Sequence, residues 1–254
     1  MRQLLVFTRK EWVESWRTTK GLILVSLFFF FGVLSPLTAK FTPELLQLVT
    51  DSKMTISVPK PTSVDSWVQF YKNVNQLGLL VFCLLYHQCV SGELMKGTLI
   101  PFVTKGLQRE VIVLAKWLNM FIQWTLSLVC CFAVTYGYTR FYFPDNASPH
   151  VLKGVLALWL FGIFLLTLLL FSSILIRSSY GGLLVVMGVV GLLFFLAFFD
   201  QLTRYNPISL VSKNMAFVQG KMSFRSFGWS IGFTVLAIFG GLFASIGLMN
   251  RKKI

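Results

Sequence analysis

Six stretches of the chain, Leu22 to Ala39, Trp67 to Val90, Trp117 to Tyr138, Gly154 to Ile176, Gly181 to Phe199 and Trp229 to Met249, each run for roughly 20 mainly apolar residues. That is the length a helix needs to cross a hydrocarbon layer, where every backbone N–H and C=O must be satisfied inside the segment. Only 13% of the residues are charged and 56% are hydrophobic, whereas soluble domains carry roughly 25% charged residues. The expected fold is therefore all-α: a polytopic membrane protein with six transmembrane helices over residues 21–254, preceded by an amphipathic helix over residues 1–20.

The net charge of +14 would point to nucleic acid in a soluble protein. Here the basic residues flank apolar runs, so contact with the membrane surface accounts for them and no nucleic-acid partner is expected. With six spans both termini share a side, which carries 13 of the 23 Lys and Arg, Arg251, Lys252 and Lys253 among them. Basic residues are retained in the cytoplasm, so both termini are expected there.

At 100° per residue, Leu5, Trp12 and Trp16 share one face of the N-terminal helix, with Lys10, Glu14 and Arg17 opposite. Either this helix lies in the membrane interface or it is a charged extension of the first span. No small-residue cleavage site follows the first apolar run, so the mature chain is expected to start at Met1. Within the first span Pro36 predicts a kink or a stop. Cys83, Cys89, Cys130 and Cys131 all fall in apolar runs, where a thiol behaves as a small hydrophobe, and no disulfide is expected.

Enzyme chemistry finds little support. With only His87 and His150 and no HExxH, no metal site is expected. Gly220-Lys221-Met222 lacks the upstream Gly and the hydroxyl of a phosphate-binding loop, so ATP is not expected to bind this chain. The nine acids fall in loops, near helix ends or in the N-terminal helix, so no catalytic carboxylate pair is expected inside the membrane.

The segment Ser91 to Lys116 is patterned. Gly92 and Gly97 flank a short charged helix, Pro101 interrupts the next, and Gly106 permits a sharp turn before Arg109 and Glu110. It reads either as a docking element or as an ordinary basic connection. The succession Glu93, Gly97-Thr98-Leu99, Lys105, Arg109 and Lys116 resembles the pattern of ABC-2-type transporter permeases, although the basic turn lacks the Pro common there. The amphipathic N-terminal helix, the six spans and a long loop before the last span extend the resemblance over nearly the whole chain.

The resemblance implies the permease subunit of a bacterial exporter in the cytoplasmic membrane. Such a subunit is a homodimer, or a heterodimer with a second permease, and is powered by two copies of a separate P-loop ABC ATPase that binds the ATP and Mg. Trp12, Glu14, Glu93, Lys96, Gly97, Thr98, Lys105 and Arg109 would then couple the chain to the ATPase. The loop Asp200 to Phe227 resembles the family's outer re-entrant helices, with Ile208, Leu210 and Met215 dipping into the leaflet while Lys213 and Lys221 snorkel; a surface loop is the alternative.

Four amides are candidates for a translocation path: Asn73, Gln76, Asn119 and Gln123. For Asn73 and Gln76 the alternative is outer solvent, and for Asn119 and Gln123, at i and i+4, it is hydrogen bonding between helices. Small residues at Ala237, Gly241 and Ser245, and at Gly181, Gly188 and Gly191, permit close helix packing. Phe, Leu and a few amides suit an amphipathic or hydrophobic cargo such as a peptide, antibiotic or lipid. Two rival functions remain, a membrane sensor or immunity protein of the same fold and an intramembrane lipid-modifying enzyme.

Overall fold

The computed structural model describes residues 2–49, 61–145, 147–220 and 227–252, and among them it is helical with no strand. The helix α1 (Arg2–Arg17) turns at Thr18 and Thr19, the latter in the left-handed region at φ 61°, into α2 (Lys20–Val49). Next come α3 (Ser63–Asn73), a π-helical turn at Val74–Gly78, and α4 (Leu79–Tyr86). The connection carries α5 (Ser91–Lys96) and α6 (Ile100–Thr104) and leads into α7 (Arg109–Tyr142). Then follow α8 (Val151–Leu175), α9 (Gly181–Leu196), the short α10 (Asp200–Thr203), α11 (Ser209–Ser212) and α12 (Asn214–Val218), and α13 (Gly228–Arg251).

Among the described residues, five segments are long and apolar enough to cross a membrane: Lys20–Thr42, Ser63–Lys96, Arg109–Tyr142, Val151–Leu175 and Gly228–Arg251. The expected fifth span, α9, is a shorter apolar helix of 16 residues, about 24 Å at 1.5 Å per residue. It still leads from one end of the bundle toward the other. Gly182 packs on the backbone of Ser172 and Ser173 near the end of α8. The chain beyond α9 is tied to the start of α13, where the Ser230 hydroxyl donates to the Arg204 carbonyl at 2.7 Å.

The helix α8 is buried along most of its length and forms the centre of the bundle. Indole hydrogen bonds fix it against α7: Trp124 donates to the Trp159 carbonyl, Trp159 to Thr125 Oγ1, and Trp117 to Thr167 Oγ1. Gly162 lets the two helices close, because a Cβ there would lie 2.1 Å from the Trp124 ring. The opposite extreme is α13, which leaves Phe233, Leu236, Phe239 and Phe243 exposed.

Pro36 does not end its helix, one of the two outcomes the sequence predicts, and α2 continues to Val49. A proline leaves the carbonyl four residues earlier without its donor. That carbonyl belongs to Gly32, and Thr135 Oγ1 on α7 donates to it at 3.2 Å. A packed neighbour thus removes the cost that normally breaks the helix. Pro101 also differs from expectation: it lies in the first turn of α6, where a missing N–H costs nothing, and so starts that helix. Gly97 at φ 67° and Gly106 at φ 87° close α5 and α6, as their positions predict.

The segment before the last long helix forms α10, α11 and α12. Ile208 and Leu210 are buried in the protein, and Met215 packs against the same core. Asn206 pins this corner by donating to the Leu193 carbonyl while its side-chain oxygen accepts from the Ile208 amide. Met1, Lys221 and Lys253, named above, lie outside the described residues.

Candidate functional site

The N-terminal helix does not bury the face that its hydrophobic pattern selects. Leu5 is 70% exposed and Trp12 and Trp16 are half-buried, with their rings edge to face at 5.8 Å. The inward stripe is Phe7, Glu11 and Ser15. This face meets the buried polar groups of α7, Lys116 and Gln123.

Lys116 sits two turns into α7 and is 3% exposed. Its ammonium donates to Glu11 Oε1 and Oε2 at 3.1 and 3.0 Å and lies 2.8 Å from Glu93 Oε1. One buried cation therefore joins α1, α5 and α7. Farther along α7, Gln123 donates to Ser15 Oγ and accepts from the Tyr86 hydroxyl at 2.9 Å, which adds α4. Desolvating Lys116 is costly, and only the two carboxylates make its burial tolerable.

A second ammonium closes the cluster from the outside. Lys10 reaches Glu14 at 2.6 Å, Glu11 at 2.9 Å and Glu93 at 3.6 Å. Glu11, Glu14 and Glu93 each bring a carboxylate oxygen within 4.8 Å of the others, a spacing that suits a shared cation, and Lys10 supplies that charge. Burial alone would lower the Lys10 pKa, but the hydrogen bond to Glu14 and the charges of Glu11 and Glu93 outweigh it and hold the ammonium above its ordinary range. Burial would likewise raise the Glu14 carboxyl, yet the Lys10 hydrogen bond and the charges of Lys10, Lys116 and Lys20 hold it low. These groups border a cavity of about 550 Å³, also lined by Lys20, Lys96 and Asn119.

Of the expected coupling residues, Glu14 and Glu93 belong to this cluster, and Trp12 lies on the adjoining face of α1. Gly97 and Thr98 shape the loop: the Thr98 amide donates to the Glu93 carbonyl at 3.2 Å across the left-handed turn. Lys96 and Lys105 are exposed. Arg109 is engaged inside the chain, since its guanidinium donates to the carbonyls of Met249, Asn250 and Lys252 at the end of α13. Its partner in the turn, Glu110, accepts from Asn250 at 3.2 Å. Both ends of the described chain therefore gather around the start of α7.

The four expected path residues separate. Gln123 is buried between helices, and Asn119 is buried with its side-chain oxygen unpartnered and borders the charged cavity. Asn73 donates to Ser35 Oγ at 3.0 Å and ties α3 to α2. Gln76 alone among them is exposed, in the π-turn halfway along the Ser63–Tyr86 run.

Glu11 and Glu93 converge on Lys116 from the N-terminal helix and from the Ser91–Lys96 helix, a meeting the sequence alone does not show. Glu11, Lys10 and Ser15 carry no motif. The signal that points to them is the i, i+4 stripe Phe7, Glu11, Ser15, in which a lone acid interrupts an otherwise uncharged face.

No family model matches the chain. The chain is similar to the uncharacterized transmembrane protein YxlG of Bacillus subtilis (strain 168), 23% identical over 243 residues that cover 94% of this chain and 93% of that protein. With its long apolar helices, the chain is a helical membrane protein.

Proposed function

We propose that the chain is the permease subunit of an ATP-driven ABC exporter in a bacterial cytoplasmic membrane, with six crossings including α9. The end of the bundle that carries α1, α5 and α6 faces the cytoplasm and holds both termini. The observation that carries this reading is the buried Lys116, which locks the N-terminal helix, the Ser91–Lys96 helix and α7 into one body. A push on α1 or α5 from a separate ATPase must then move α7, which at 34 residues runs the full depth of the bundle.

Beside the cluster, Met95, Ile100 and Phe102 are exposed apolar residues among Lys96, Lys105 and Arg9. A large apolar patch with a polar rim marks an interaction surface, here for the ATPase. Two ATPase copies bind the ATP and Mg and hydrolyse the nucleotide, while two permeases, identical or related, form the path. Gln76 is exposed halfway along a membrane-length run, and a polar group at that depth faces a cavity or another helix rather than lipid. It supports a path along the α3 to α4 face, for an amphipathic or hydrophobic cargo that crosses by alternating access.

Affinity purification of the detergent-solubilised chain from its native membrane tests the reading. A P-loop ATPase should accompany the wild-type chain and be lost from Ile100→Asp/Phe102→Asp. A chain that emerges alone, with both termini and α5 intact, would overturn it.

A further inference from the structure

A second cavity, of about 510 Å³, lies at the opposite end of the bundle, between the starts of α3 and α8 and the end of α7. Arg140, His150 and Lys153 line it together with Trp67, Phe132 and Tyr136. Neither Arg140 nor Lys153 forms an ion pair among the described residues. The one carboxylate in the lining is already engaged. Asp145 accepts from the Ser63 amide through Oδ2 at 2.9 Å and from the Ala147 amide through Oδ1 at 3.3 Å. Burial opposes its ionisation, but the hydrogen bonds from Ser63 and Ala147 together prevail and hold its pKa below the ordinary value, so it serves as a charged pin for the rim.

Polarity is layered with depth. The Trp67 and Phe132 rings lie tilted to each other at 5.7 Å and those of Phe132 and Tyr136 at 5.8 Å, so an aromatic wall runs along α7. From Arg140 down to Phe132 is about 12 Å at 1.5 Å per residue. Along the same helix Lys116 and Arg140 are about 36 Å apart, slightly more than the roughly 30 Å of a hydrocarbon core. The unpaired cations therefore stand at headgroup level and the aromatic wall at acyl-chain level.

We propose that this cavity binds a single phospholipid of net negative charge, its phosphate against Arg140 and Lys153 and an acyl chain along Phe132 and Tyr136. The site needs only the membrane character of the chain and is independent of the exporter reading.

Native mass spectrometry of the full-length chain, extracted from nanodiscs of phosphatidylcholine with or without phosphatidylglycerol, tests it. One phosphatidylglycerol per chain should be retained, and Arg140→Gln/Lys153→Gln should weaken retention by about tenfold. Arg9→Gln/Arg17→Gln, on exposed cations at the other end, should leave retention unchanged, and an unaltered melting temperature of the first variant would show that it folds. Equal retention by the wild type and the Arg140/Lys153 variant would overturn the site. Displacement of the lipid by millimolar glycerol phosphate would overturn the lipid assignment in favour of a free phosphate ester.

Discussion

Lys116 and Glu93 stand 2.8 Å apart, although α5 and α7 are separated by a loop with two left-handed glycines. Because Lys116 is buried, truncating it leaves Glu11 and Glu93 with the outer Lys10 alone, and truncating either carboxylate leaves the lysine one partner in place of two. Lys116→Met alone is expected to cost about 3 to 5 kcal/mol. The triple variant Glu11→Gln/Glu93→Gln/Lys116→Met should recover much of that loss, since no buried charge is left unpaired. Thermal unfolding in detergent would check both. A triple variant no better than the single one would mean that the cluster is not an electrostatic unit.

Gly162 on α8 makes room for the Trp124 indole of α7. Gly162→Ala forces a methyl group into the Trp124 indole and should destabilise the protein by about 1 to 3 kcal/mol. Gly137, with nothing near its missing Cβ, is the control, and Gly137→Ala should leave the melting temperature unchanged or higher.

The Thr135 hydroxyl serves a carbonyl that Pro36 orphans. Thr135→Val should cost about 1 to 3 kcal/mol in the wild-type background, the penalty for a buried unpaired carbonyl. In a Pro36→Ala background the helix supplies its own donor, so the same substitution should cost less. Equal costs in the two backgrounds would count against this pairing.

Stability should also depend on pH through the outer tier of the cluster. The Glu14 pKa is lowered from 4.5, so its contribution is present above 4.5 and is lost as pH falls through the folded value. The Lys10 pKa is raised from 10.5, so its contribution is complete below 10.5 and is lost as pH rises through the folded value. Melting temperature should hold up between these limits. Glu14→Gln should be less stable than wild type at neutral pH and converge with it in acid.

The apolar architecture was legible because span length and backbone satisfaction leave little choice. Long runs such as Val151–Leu175 fall within a few residues of their sequence limits. The charged cluster was legible only in part. Glu93 lies in a recognisable loop pattern, but Glu11 gains its role from a lysine more than a hundred residues away, and no local pattern carries that partnership. That α2 runs on past Pro36 was hidden for the same reason, since the donor to the Gly32 carbonyl comes from another helix. The role of Arg109 was hidden too, because its acceptors are main-chain carbonyls, which every sequence possesses.

That last contact bears on biogenesis. The carbonyls that Arg109 holds belong to α13, which leaves the ribosome long after α7 has been made. The start of α7 therefore stays unlatched until the final hairpin is inserted, and a truncated chain should show faster amide exchange from Arg109 to Val113. Unchanged exchange in a chain that stops before Met249 would refute this. If it holds, this end of the bundle is the last part of the molecule to be completed, and a half-made chain carries it unfinished.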